Sequence, residues 1–264
     1  MSPMGWVEYW DGKPTIYVNS RHKQAHYRGV ADGLIANLGD GQPVVLDYGC
    51  GEAVFADDVA RRCSQLYLCD AAPNVRTELQ RRFAGVGNIV VVAPEDLPGL
   101  PAASLDLIVA NSVIQYLSPV DLDQCLDQWR RLLAPDGRLL VADVIPPSVG
   151  PLTDALALLD FGRRKHFLIA AGIGLVRTFF SSYRKVRAAL GLQQYDPEVL
   201  IARFAAHGLA ARHHRPNLGH NQSRMAFVAM RADGETHQLM PEAAYPIAAA
   251  PPLDPLDISL SSSP

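Results

Sequence analysis

The residues best placed to do chemistry lie in one decapeptide and one acid beyond it. VVLDYGCGEA ends an apolar run on Asp47 and then sets Gly49 and Gly51 in a tight turn. Glycine lets a backbone turn closely beside a ligand, and the helix expected next offers unpaired amides at its start. Asp70 follows Gly51 by 19 residues, at the end of a second apolar run. An acid there can accept hydrogen bonds from two ribose hydroxyls. A GxG turn alone also fits an ordinary strand–turn–helix corner, and it is the pairing with Asp47 and Asp70 that points to a nucleotide. A nicotinamide dinucleotide would call for GxGxxG, whereas Ala53 and Val54 follow Gly51.

A second set of residues is placed to meet an acceptor. Gln115 and Tyr116 follow a strand, at the rim of any crevice, and Tyr17, His22, His26 and Tyr27 belong to an N-terminal segment that can cover it. His220 and Asn221 fall in a polar loop, PNLGHNQS, between two strand-like runs. Any one histidine is more commonly a structural hydrogen bonder, and His213 and His214, alternating along a strand, read that way. His220 stands apart because Gly219, Asn221 and Gln222 surround it. A neutral imidazole there can take a proton from a hydroxyl near physiological pH.

The elements that must position these groups alternate. A helix over about 22–38 carries Tyr27, Val30, Leu34 and Leu38 at helical spacing, with Gly39 as its stop. Strands are expected at VVLDY, QLYLCD, NIVVVA, SLDLIVAN and RLLVADV, and a helix carrying Phe55 and Val59 should follow the glycine turn. Another helix spans Pro73 to Phe83. Ser118, Pro119 and Asp121 cap the next, whose buried stripe runs through Leu122, Cys125, Leu126, Trp129, Leu132 and Leu133. Pro135-Asp136-Gly137 turns the chain into the fifth strand. Alternation of this kind implies right-handed crossovers, a mainly parallel sheet and a crevice at its carboxyl edge. It breaks after Val144, and about fifty residues pass before the capped helix at Asp196-Pro197-Glu198. That interval far exceeds a usual connection.

LDYGCGEA, LYLCDAAP, EDLPGLPAASLDLIVANSVIQYL and LLAPDGRLLVADV, in this order over roughly 44–144, resemble the class I (Rossmann-like) S-adenosylmethionine-dependent methyltransferases, in their small-molecule branch. The resemblance implies a doubly wound seven-stranded sheet in the order 3-2-1-4-5-7-6 with the last strand antiparallel, a helical N-terminal cap and a helical insertion after strand 5. By it, Asp47, Gly49 and Gly51 line the methionine end of S-adenosylmethionine, Asp70 with Ala71 holds the ribose, and Asn111, just past the fourth strand, sits near the sulfonium. Two positions depart from the family. Ala53 stands where a third glycine is usual, a change of one methyl. Ala93 stands where an acid often meets the adenine, leaving Glu95 or Asp96 to substitute.

The resulting division is a cap over 1–40, a methyltransferase domain over 41–232 with a lid over 145–195, and a Pro/Ala/Ser-rich tail over 233–264. The chain has 264 residues, 48% hydrophobic and 19% charged, with a net charge of −3. This is a globular composition without a general pull toward nucleic acid. Cys50, Cys63, Cys69 and Cys125 form no CxxC pair, so no metal site is expected. The opening MSPMGWVEYWDGKP has no basic stretch leading into an apolar run, and reduced thiols in the cytoplasm are expected.

The lid carries Arg163, Arg164, Lys165, Arg177, Arg184, Lys185 and Arg187 against Asp154 and Asp160, and its apolar run FLIAAGIGLV falls short of the roughly 20 residues a membrane span needs. Its plain reading is a pair of helices packed on the domain. Its sharper reading rests 151–191 on anionic lipid, peripheral at the membrane. No aromatic stacking pattern of the kind nucleic-acid binding requires interleaves these charges. The function expected is methyl transfer to a small-molecule or lipid-like acceptor. RNA or protein methylation, and a cofactor-binding module without turnover, are the alternatives. Oligomeric state has no signature in the sequence.

Overall fold

The computed structural model describes residues 5–12, 17–179 and 191–232. The expected tail over 233–264, and the basic positions Arg184, Lys185 and Arg187, lie outside them, as does the side chain of Arg177. Seven strands form one sheet in the order β3-β2-β1-β4-β5-β7-β6. They are β1 (Val44–Tyr48), β2 (Gln65–Cys69), β3 (Ile89–Val92), β4 (Leu105–Asn111), β5 (Leu133–Val144), β6 (Leu209–His214) and β7 (Met225–Arg231). The first five pair in parallel, and β7 is antiparallel to both β5 and β6. Strand order, and the antiparallel direction of the last strand, agree with expectation.

Period-two alternation builds two cores from the same strands. Leu46, Ile108, Leu139 and Val141 face one layer, with Trp129 and Phe204. Their neighbours Val45, Leu107, Val109, Leu140 and Ala142 face the other, with Leu34 and Leu79. The first layer is α5 (Pro119–Leu132) and α8 (Pro197–Ala206), and the second is α2 (Ser20–Ala36), α3 (Ala56–Ala60) and α4 (Pro73–Phe83). The cap of α5 forms as expected, Ser118 Oγ accepting from Asp121 N at 3.2 Å. Asp196 caps α8 through Glu198 N at 3.0 Å.

Four expectations need correction. The helix after the glycine turn is only five residues long, and Phe55 precedes it as the cap, because the chain from Gly49 is spent in successive turns. Asn111 is the last residue of β4 rather than lying beyond it. Strand β5 starts at Leu133, before the expected turn. Its surplus residues are absorbed by a register shift between the Leu105–Leu133 and Leu107–Arg138 pairs, where a Cβ on Gly137 would lie 2.6 Å from Leu105 O. Finally, Ala53 is more than an added methyl, since its φ of +39° lies in the left-handed region that disfavours L-residues.

After β5 come α6 (Pro151–Arg164) and α7 (Leu168–Phe179). Phe161, Phe167 and Ala171 pack between them and onto Val18 and Ala25, which lie in and just before α2. The short α1 (Trp6–Asp11) runs across the carboxyl end of the sheet. Asp11 accepts from Asn74 N at 2.6 Å on one side, and Trp6 and Trp10 meet Tyr116 on the other, with ring centroids at 4.7 and 5.6 Å. No helix among the described residues is long and apolar enough to cross a membrane.

Candidate functional site

The chain turns left from β1 into β2 and right from β3 into β4, so the carboxyl ends of β1 and β4 bound the crevice typical of such sheets. Gly49 and Gly51 occupy it with φ of +71° and +56°. A side chain at Gly49 would overlap Val113, and one at Gly51 would stand 3.1 Å from the Tyr27 hydroxyl. The turn is braced from three directions. Asp70 Oδ2 accepts from Gly51 N at 2.9 Å, the Tyr27 hydroxyl accepts from Glu52 N at 3.1 Å, and Arg82 donates to Ala53 O at 2.7 Å.

The two acids differ in employment. Asp70 Oδ1 also accepts from Ala72 N at 2.9 Å, so both its oxygens already hold backbone. Burial raises its pKa while these bonds oppose the rise. No donor among the described residues engages the Asp47 carboxyl. Burial first, and the neighbouring Asp70 second, push its pKa up to about 7. Ala71, Glu95 and Asp96 are exposed. Asp96 is already committed, accepting from Ala93 N at 2.8 Å. Asn111 Oδ1, Gln115 Oε1 and Trp10 Nε1 are buried with no hydrogen-bond partner. Burying polar groups unpaired is costly, so such a cluster fits a ligand that completes it.

The acceptor-side candidates form a second group. Tyr17 lies against His22, His26 and Tyr27, with centroids at 5.4, 5.5 and 5.7 Å. His22 Nδ1 accepts from Val18 N at 3.3 Å and the ring stacks on Phe167 at 5.0 Å, a structural engagement. His220 is half-buried, stacked on Phe161 at 4.8 Å, and 6.4 Å from His22. Burial lowers all three histidines, His22 and His26 to about 4. For His26 and His220 the nearby Asp143 opposes that fall. Burial raises Tyr17 well above its ordinary value and Tyr27 to about 12. His213, the strand residue expected to be structural, lies against Phe227 at 4.6 Å.

Sequence reasoning missed the hub beneath His220. Asp143, near the end of β5, accepts from Ser112 Oγ at 2.6 Å, Arg224 Nη1 at 2.7 Å and Asn217 Nδ2 at 3.3 Å. Asn217 Oδ1 in turn accepts from Asp143 N at 2.8 Å. Arg224 reaches on to Asp154 of α6 with both oxygens at 3.0 Å, and Asn221 Nδ2 donates to Asp154 at 2.9 Å. The one available signal was an acid at a third strand end, the pattern already used for Asp47 and Asp70. Among the described residues no group of three or more His, Cys, Asp or Glu is placed to hold a metal ion.

An open, doubly wound sheet with a glycine turn after its first strand defines a Rossmann-like nucleotide-binding class. Within it, a methyltransferase-domain family matches residues 46–141. Over those residues the chain is similar to the class I S-adenosylmethionine-dependent methyltransferases. An uncharacterized methyltransferase of Mycobacterium tuberculosis is 29% identical over 124 residues, 47% of this chain and 60% of that protein. Nocamycin O-methyltransferase of Saccharothrix syringae is 34% identical over 150 residues, 50% of this chain and 52% of that one. The chain therefore spans less than two thirds of these curated relatives. The structure of DhpI with SAH aligns at a TM-score of 0.55 and 13% identity, over 86% of this chain and 95% of that one, a likeness of fold.

Proposed function

We propose that this protein transfers a methyl group from S-adenosylmethionine to a hydroxyl of a small or lipid-like molecule. The observation that carries the reading is the convergence of two sets of groups on one edge of the sheet. Asp47, Asn111 and the Gly49–Gly51 turn stand on one side, and His26, His220 and Tyr17 on the other. The buried, unpartnered Asn111 Oδ1 and Gln115 Oε1 fit a bound polar ligand, and an unpaired Asp47 fits a cationic amino group. Bound there, S-adenosylmethionine supplies a methyl already activated on a sulfonium.

The chain's own work is then alignment, exclusion of water and removal of one proton. Asp70 holds the turn open through Gly51 N and keeps lone pairs for the ribose hydroxyls. Trp6, Trp10 and Tyr116 close one flank of the crevice, with Phe161 on the other. His220 is neutral near physiological pH and takes the hydroxyl proton on a ring nitrogen. The carboxylate of Asp143 stabilises the imidazolium that results. Asn221 serves by tying the loop to Asp154, and His22 by its structural stacking. Nocamycin O-methyltransferase, an O-methyltransferase by name, supports the choice of a hydroxyl.

Labelled methyl transfer into a cell extract tests this. Label should enter the small-molecule or lipid fraction, with one S-adenosylhomocysteine formed per methyl. Label in RNA or protein would replace the acceptor class, and tight cofactor binding without turnover would mark a binding module. His220→Ala should lose most of the transfer rate, and its rise with pH, at unchanged cofactor affinity. A lower melting temperature with normal turnover would make His220 structural.

A further inference from the structure

Five of the nine exposed large hydrophobic side chains among the described residues sit on α6 and α7: Leu152, Leu156, Leu168, Ile169 and Ile173. Single exposed aliphatics need no explanation, but this concentration does. Leu152 with Leu156, and Ile169 with Ile173, are each spaced four apart and so share one helix face. The opposite faces are already used, Phe161, Phe167 and Ala171 packing toward α2. Ile169 is 81% exposed.

The charge beside this face is mostly positive. Arg163, Arg164 and Lys165 are exposed where α6 ends, immediately before Leu168. Among the described residues Asp160 answers them, pairing with Arg163 at 3.0 Å and Arg164 at 2.9 Å. Lys165 has no ion-pair partner among the described residues. Beside the α6–α7 turn lies an open, shallow hollow lined by Arg21, Arg28, Lys165, His166, Gln24 and Phe55, in which Arg28 is paired with Asp32 and Asp58. An exposed aliphatic face bordered by cations and a basic hollow matches the two layers of an anionic membrane surface, acyl chains below and phosphates above.

We propose that the α6–α7 pair docks on an anionic lipid surface, with Leu168, Ile169 and Ile173 in the acyl boundary and Arg163, Arg164 and Lys165 among the phosphates. Docking of this kind does not depend on which acceptor is methylated. Sedimentation of the full chain with vesicles of phosphatidylcholine, with and without phosphatidylglycerol, tests it alongside analytical ultracentrifugation of the protein alone. Association should require the anionic lipid and weaken as salt rises. Ile169→Asp with Ile173→Asp should lower it about tenfold or more. Replacing Arg163, Arg164 and Lys165 by glutamine should lower it on the order of a hundredfold, at about fivefold per cation. Arg163 and Arg164 share a hollow with His220, but the glycine turn lies at the ends of β1 and β2, so binding of S-adenosylhomocysteine should be unchanged and reports intact folding. No association at low salt, or association that both variants leave intact, overturns the proposal. So does a wild-type dimer that the paired isoleucine change dissociates, because the face would then belong to a second copy of this chain.

Discussion

The two sides of the crevice are held by different kinds of bond. On the side of β1 and β2, the glycine turn is fixed by main-chain amides: Gly51 N and Ala72 N on Asp70, Glu52 N on Tyr27. On the side of β5 and β7, side chains do the holding, through Ser112, Asp143, Arg224, Asp154 and Asn217. A turn made of backbone tolerates change around it so long as its φ angles are met. A network of buried charges fails as a unit, because each member removed strands the others. The β1–β2 side is thereby a fixed cradle and the β5–β7 side a latch joining sheet, loop and α6.

Asp143→Ala gives the largest expected effect on this contrast. It leaves the Arg224 guanidinium buried beside one acid instead of two, and breaking a buried pair costs about 3–5 kcal/mol. The melting temperature should fall by roughly 6–20 °C for a domain of this size, while affinity for S-adenosylhomocysteine stays within a few-fold in folded protein. Loss of that affinity as well would show the two sides to be one cooperative site.

The two donor-side acids sharpen the comparison. Asp70→Ala should cost affinity for S-adenosylmethionine by about 1.5–3 kcal/mol and also destabilise the fold, since it strands two backbone amides. Asp47→Asn should cost comparable affinity without loss of melting temperature, because no protein donor depends on that carboxyl. With Asp47 raised to about 7, affinity for the cationic cofactor should climb as pH rises through 7, and the Asn variant should lose that slope. Calorimetry across pH, paired with melting curves, distinguishes the two acids.

Acid titration compares the sides directly. His22 and His26, lowered from 6.5 to about 4, remain neutral in the fold while the unfolded chain takes up protons, so their stability is lost as pH falls through that window. Asp47 acts oppositely, since the fold protonates at about 7 and the unfolded chain near 3.8. The histidines outweigh the acid, and acidification between these limits should cost about 2 kcal/mol. His26→Gln should abolish or reverse the loss in pH-dependent melting, since Asp47 then outweighs His22. A wild-type curve that is flat from neutral to acid would contradict this balance.

The smallest effect belongs to Ala53→Gly. Relief of a left-handed alanine is partly offset by the added entropy of the unfolded chain, so stability should rise by no more than about 1 kcal/mol. A fall would mean that the Ala53 methyl, which is buried, contributes more by packing than its backbone angle costs.

What the sequence made legible follows from how local each signal is. Strand alternation, the Ser118–Asp121 cap and the Gly49–Gly51 turn are written in adjacent residues, and the sheet order came with the family they resemble. The helix after the turn was overdrawn because Phe55 and Val59 share helical spacing without both being helical. The Asp143 hub was illegible for a different reason. Its partners Ser112, Asn217 and Arg224 lie 31, 74 and 81 residues away, and no local pattern marks them as a set. His220 could be singled out by its polar neighbours, but its stacking on Phe161 depended on where α6 would lie.

The position of β7 has a consequence for how the chain is made. It comes after β6 in sequence, yet it is inserted between β5 and β6. A nascent chain emerging from the ribosome therefore presents β5 with one bare edge, and Leu139, Leu140 and Val141, all but sealed in the finished sheet, stay partly uncovered until Met225–Arg231 is synthesised. Arg224 arrives in the same stretch, so α6 lacks its Asp154 tie to the sheet before then. An open apolar strand edge recruits other strands. Translation stalled after β6 should yield a chain that aggregates or is held by chaperones, and emergence of the chain through Arg231 should release it.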